Sequence, residues 1–212
     1  MASFSEQPRP FEWGPLLDSS FSSFLSQYAP AKIAILVDEN THDHCLEFLL
    51  TAFEALAEAE VILLPAGEQN KVLEVCFQIW ETLTEAGFGR HDLLINLGGG
   101  VVTDLGGFVA SVYKRGLSFI NIPTSLLCMV DASIGGKNGI DVGLYKNMVG
   151  LIRQPQFLVY DVGFLQSLPK HQWENGFAEI IKHAAIKDAA MMKELAAHDI
   201  NYYQKNKPVN QF

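Results

Sequence analysis

Four short aliphatic runs, Ile33 to Val37, Val61 to Leu64, Leu93 to Leu97 and Phe119 to Ile122, are separated by longer segments whose apolar residues recur at helical spacing. Such alternation predicts an α/β chain with a parallel sheet, because parallel neighbours need a crossover and a helix is the usual one. His42 to Ala59 reads as a helix with Leu46, Leu49, Leu50, Phe53 and Leu56 on its inner face, capped by Asn40 or Thr41. Lys71 to Glu85 carries Val72, Val75, Cys76, Ile79 and Leu83 on one stripe, and Gly87 is placed to stop it. A further helix is expected from about Val102 to Tyr113, and Phe157 to Tyr160 returns to strand character. Between them, Asp131 to Gly150 is rich in glycine and interspersed charge, which predicts a loop or lid at a site. From Phe164 the pattern is purely helical, so a transition near Gly163 divides an α/β unit, 1–162, from helices in 163–212.

Composition narrows the function classes. Of 212 residues 49% are hydrophobic and 18% charged, enough apolar material for a real core. Twenty-four acidic against 15 basic residues give a net charge of −9, and no basic stripe could track a phosphate backbone, so nucleic acid is not an expected partner. Cys45, Cys76 and Cys128 are odd in number and lie in apolar contexts, which fits reduced core thiols and a cytoplasmic setting. Met1 to Gly14 lack a basic start followed by an apolar stretch, and no apolar run nears the ~18 residues of a membrane span, so a soluble protein that is not exported is the expectation. The polar stretch from Asn201 to Phe212 ends without a structural stop, as a piece of a longer protein would.

Three places carry chemistry. The strand Leu93 to Leu97 runs into Gly98-Gly99-Gly100 and then a helix holding Asp104; glycines admit a diphosphate to the backbone, and the helix offers its positive end. A tight strand-to-helix turn without ligand is the competing reading. Neither the G-x-G-x-x-G fingerprint nor a P-loop is present. Cations sit beside glycine-rich turns at Lys71, Arg115, Lys137 and Lys146, a pattern suited to a phosphate or carboxylate, although each taken singly reads as a solvated loop charge. Finally, Glu179, Lys182 and His183 share one face of an otherwise apolar helix. Glu179 and His183 could reach one metal, but two ligands are half a zinc site, and an ordinary ion pair is the commoner meaning.

From Leu97 to Asp188 the chain resembles the 3-dehydroquinate synthase family of sugar phosphate cyclases. The resemblance rests on Gly98-Gly99-Gly100-Val101-Val102-Thr103-Asp104-Leu105, Tyr113-Lys114-Arg115-Gly116, Ile122-Pro123-Thr124-Ser125, Val130-Asp131-Ala132-Ser133-Ile134-Gly135-Gly136-Lys137, Lys146-Asn147-Met148-Val149-Gly150 and Gly176-Phe177-Ala178-Glu179-Ile180-Ile181-Lys182. Upstream, Asp38 and Gly67-Glu68-Gln69-Asn70-Lys71 are similar more loosely. Tyr145 and Asn138 depart from the glycine and threonine usual at those places.

The resemblance implies a Rossmann-like NAD-binding domain over 1–162, with Asp38, Glu68, Lys71, Gly99, Gly100, Asp104, Thr124 and Ser125 on the nucleotide. Phe164, Ser167 and Leu168 would add cofactor contacts, and Asp104 would hold the nicotinamide end. Arg115, Asp131, Lys137, Lys146, Asn147 and Lys182 would surround a phosphorylated sugar acid, Lys137 and Lys146 also touching the cofactor. Glu179 would ligate a divalent metal, zinc or cobalt. The implied reaction is transient oxidation at C5, phosphate elimination, re-reduction and aldol ring closure, by a homodimer. Family members continue into a helical domain with two histidine ligands that nothing after Glu179 matches. The expectation is therefore a shortened form, 163–212 being the first helices of that domain, inactive alone. Other cyclases of the valiolone or inosose type, a metal-dependent polyol dehydrogenase, and a non-catalytic NAD-binding module remain alternatives.

Overall fold

In a computed structural model, which describes residues 11–206, six strands form one sheet in which every neighbouring pair is parallel. In chain order the elements are β1 (Phe11–Trp13), α1 (Phe21–Tyr28), β2 (Ile33–Asp38), α2 (Glu39–Thr41), α3 (Glu47–Ala52), β3 (Glu60–Leu64), α4 (Leu73–Glu85), β4 (Leu93–Gly98) and α5 (Gly100–Val112). Then come β5 (Ser118–Pro123), β6 (Lys137–Val142), β7 (Tyr145–Ile152), β8 (Leu158–Tyr160), α6 (Lys170–Lys187), α7 (Ala189–Leu195) and α8 (Ile200–Asn206). The sheet order is β1-β8-β5-β4-β2-β3. No described helix is long and apolar enough to cross a membrane.

Strands β2, β4 and β5 are continuous apolar runs because both faces are covered, whereas the edge strand β3 buries Ile62 and Leu64 and leaves Val61 and Leu63 exposed. Ala34, Leu36, Leu94 and Phe119 point to one face, where they meet Val75, Cys76 and Ile79 of α4 and Val102, Leu105 and Val109 of α5. Ile35, Val37, Ile95 and Ile120 point to the other, against Phe21 and Leu25 of α1 and Leu46 and Leu49. A third cluster, with Leu126, Met129 and Tyr160, packs Trp173, Ile180 and Ala184 of α6 and reaches Leu195 and Tyr203. All three cysteines are free and buried.

Local boundaries differ from the sequence reading in instructive ways. The helix expected from His42 begins at Glu39, winds through a π segment at His42–Leu46 and ends at Ala52. Its cap is Asp38, not Asn40 or Thr41: Asp38 Oδ1 accepts the Thr41 N–H while Thr41 Oγ1 accepts the Asp38 N–H, a capping box. Lys71 precedes α4, which starts at Leu73. The expected loop Asp131–Gly150 is largely an antiparallel hairpin, β6 with β7. Gly, Lys, Asn and Asp conceal these strands because their stability comes from each other and from α5, not from local propensity. Gly143, at φ +59°, opens the two-residue turn between them.

Candidate functional site

Strand order sets the site's position. The chain leaves β2 for β3 on one side and later returns to place β4 on the other, so the crossover helices diverge at the carboxyl ends of β2 and β4. A cleft of about 1170 Å³ opens there. Asp38 closes β2 on one side of it, and Gly98 ends β4 on the other.

The glycine turn is shaped for close approach. A Cβ on Gly99 would stand 3.2 Å from Ser125 Oγ, and one on Gly100 would stand 3.3 Å from Ala132 Cβ, so side chains there would press into the cleft wall. Helix α5 begins at Gly100, two residues earlier than its sequence suggests, and directs its first N–H groups into the opening.

One turn into α5, Asp104 faces the cleft. Burial raises its pKa to about 6, although Lys71 pulls in the opposite direction. The Lys71 ammonium is itself buried, 3.3 Å from Asp104 Oδ2, 3.3 Å from Glu68 Oε1 and 3.8 Å from Asp141 Oδ1, and donates to Asn147 Oδ1 at 2.7 Å. Its burial lowers the lysine pKa, but the three carboxylates outweigh that and leave it raised. Lys146 also reaches Glu68, at 3.5 Å, and Lys137 lies 3.7 Å from Asp131. Burial lifts the Cys45 thiol, on the cleft wall, to about 11, which keeps it protonated and a poor nucleophile.

Asp131, Glu179 and His183 present ligand atoms all within 4.8 Å of one another. Two carboxylates and an imidazole suit a cation of the zinc or cobalt kind, so these residues fit a divalent metal. Lys182 pairs with Glu179, and that hydrogen bond, ahead of the charge of Asp131, raises its pKa.

The cleft thus gathers Asp38, Glu68, Lys71, Gly99, Gly100, Asp104, Thr124 and Ser125 with Asp131, Lys137, Lys146, Asn147, Phe164, Ser167, Leu168 and Glu179. Lys182 stands beside it through Glu179. Arg115 does not line the cleft: it precedes β5, at the other end of the sheet, because α5 carries the chain back across the sheet before β5 begins. Sequence reasoning left His183 as half a site and passed over Asp141, whose only cue was its place in a β-poor segment.

Comparison with known proteins agrees with this geometry. The family profile described as "3-dehydroquinate synthase N-terminal" matches residues 61–175. A 3-dehydroquinate synthase of Acidithiobacillus ferrooxidans is 41% identical over 186 residues, 87% of this chain and 50% of that protein. Among solved structures, 2-epi-5-epi-valiolone synthase from Streptomyces hygroscopicus, with NAD+ and Zn2+ bound, is 30% identical at a TM-score of 0.79, covering 93% of this chain and 55% of its own. A 2-deoxy-scyllo-inosose synthase complexed with carbaglucose-6-phosphate, NAD+ and Co2+ is 25% identical at a TM-score of 0.72, with 81% and 48% covered. The chain spans about half the length of the curated relatives it matches.

Proposed function

The chain belongs to the 3-dehydroquinate synthase family, and from that premise we propose that it forms the nucleotide-binding part of an enzyme converting 3-deoxy-D-arabino-heptulosonate 7-phosphate to 3-dehydroquinate and phosphate. One observation carries the reading: a single cleft brings a glycine turn able to admit a diphosphate beside three lysines and the carboxylates Asp131 and Glu179, with His183 within ligand distance of both. NAD would supply a reversible hydride acceptor there, and a divalent metal a Lewis acid for the substrate's oxygens.

In this proposal the residues divide the work. Gly99 and Gly100 let the pyrophosphate reach backbone N–H groups at the start of α5. Asp38 faces the nucleotide from the end of β2, with Thr124, Ser125, Phe164, Ser167 and Leu168 along the rest of the cofactor. Asp104, held by Lys71, accepts from the nicotinamide amide. Lys137, Lys146 and Lys182, with Asn147, neutralise the substrate's phosphate and carboxylate and fix its orientation, and Lys137, Lys146 and Asn147 also help to place the nicotinamide. Glu179, with Asp131 and His183 within reach, would hold the metal. Oxidation at C5 acidifies the neighbouring proton, phosphate leaves by elimination, the ketone is reduced again, and ring opening with aldol closure completes a redox-neutral cycle. We further propose residues 163–212 as the opening of a second, helical domain, a homodimeric assembly, and nucleotide binding without turnover by these 212 residues alone.

A cyclase acting on another sugar phosphate is the nearest second reading, favoured by the solved relatives named above. The higher identity to the synthase of Acidithiobacillus ferrooxidans supports the heptulosonate. Phosphate release from the heptulosonate phosphate, another heptulose phosphate and glucose 6-phosphate, measured on a longer protein that carries the rest of the helical domain, separates them, and faster release from glucose 6-phosphate would overturn the assignment. Calorimetric titration with NAD tests the cradle directly. Gly100→Val, which drives a branched side chain toward Ala132, is expected to weaken binding by tenfold or more, about 1.4 kcal/mol or above, in a folded chain.

A further inference from the structure

The hairpin pairs regularly except at one point. Ile140 lies opposite Val149 and Val142 opposite Tyr145, so Asp141 alone faces the segment Lys146, Asn147 and Met148. Bulges of this sort bend a strand and re-aim its side chains, and they gather beside active sites. Here the long side of the bulge carries Lys146 and Asn147, two residues that line the cleft.

Asp141 is tied into this irregularity by three contacts. Its N–H, freed from the ladder, donates to the Lys71 carbonyl at 2.8 Å. Its Oδ1 accepts the Asn147 N–H at 2.7 Å and lies 3.8 Å from the Lys71 ammonium. The Asn147 Oδ1 accepts from that ammonium in turn, which closes a ring through Asp141, Asn147 and Lys71. Asn147 has φ +54°, a left-handed conformation that asparagine tolerates better than other side chains and that turns its N–H toward Asp141. Asp141 does not line the cleft itself.

We propose that Asp141 is a positioning residue: by accepting the Asn147 N–H it holds the bulge in the shape that presents Lys146 and Asn147 to the ligand. It acts through the hydrogen bond, so an amide that can still accept should do most of its work. The proposal rests on the NAD reading for its consequence in binding, but not for the latch itself.

The test therefore has two readouts on the 212-residue chain. In the ligand-free protein, amide hydrogen exchange at Asn147 should speed up by about tenfold or more in Asp141→Ala, the loss of one hydrogen bond of about 1.4 kcal/mol, and stay near the unaltered rate in Asp141→Asn. The buried β4 amides are the control for folding. In NAD titrations, Asp141→Ala should weaken binding by roughly tenfold and Asp141→Asn by less than about threefold, and Asn147→Ala should add little in the Asp141→Ala background, since coupled residues are non-additive. Unchanged Asn147 exchange in Asp141→Ala would overturn the latch. Full NAD affinity despite lost protection, or additive losses in the double variant, would overturn its positioning role. If the unaltered chain takes up no NAD, the cofactor reading fails and the exchange measurement alone decides the latch.

Discussion

The β4–α5 turn and the β6–β7 hairpin face one cleft but are held by different forces. The turn grows out of the most buried strand in the molecule: β4 has strands on both sides and core on both faces. Its glycines can afford to have no side chains because the apolar packing around them fixes the backbone. The hairpin exposes most of β7 and is anchored by Ile140 in the core, by Asn138 against α5 and by the polar ring around Lys71. A phosphate cradle can thus be made rigid by hydrophobic burial, while the cations that meet a changing substrate are set by a few directional contacts.

The sharpest way to break this contrast is at the seam between the two. Gly107 of α5 lies so close to Asn138 that a Cβ would overlap its amide, whose nitrogen donates to the Gly136 and Arg153 carbonyls. Gly107→Ala is expected to destabilise the fold by about 3 kcal/mol, read as a lower denaturant midpoint, because a buried satisfied amide must move. A loss under about 1 kcal/mol would show the hairpin to be only loosely docked.

Next in size is the charge shared across the seam. With Asp104 at about 6, the folded chain holds its proton more tightly than the unfolded one. The stabilisation, on the order of 2 kcal/mol, is present below about pH 4 and is lost as pH rises through 6. Carboxyl NMR should find that titration, and Lys71→Met should move it upward by removing the cation that opposes burial. A downward move would mean that Lys71 does not face Asp104 in solution. The smallest effect belongs to the hairpin tip: Leu144 is 99% exposed, and Leu144→Lys should alter stability by no more than about 0.5 kcal/mol.

What the sequence disclosed follows the same division. Strands β2, β4 and β5 are legible because burial on two faces writes itself as uninterrupted aliphatic runs, edge strand β3 by its run of aliphatic residues although Val61 and Leu63 face outward, and the glycine turn because its residues are rare at such a place. The hairpin is not legible, since Lys137, Asn138, Gly139 and Asp141 acquire strand geometry only from partners distant in sequence. The Asp38 cap was hidden by the two better-placed candidates just after it. The position of Arg115 at the other end of the sheet from the cleft is not legible either, since adjacency to a glycine says nothing about which end of the sheet a turn occupies. His183 and Asp131 meet only through the packing of α6 against the helical turn at Cys128–Ala132, a three-dimensional fact.

The pairing of β1 with β8 bears on how the protein is born. The Leu16 N–H bonds the Asp161 carboxylate, 145 residues away in sequence, and Phe11 to Trp13 lie along Leu158 to Tyr160. During synthesis β2 to β5 can associate while the ribosome is still making the hairpin, but the first strand must wait until the eighth has emerged. For that interval Phe11 and Trp13 lack both the strand and the Tyr160 ring against which they pack in the folded protein, so two aromatic side chains stay uncovered on the growing polypeptide.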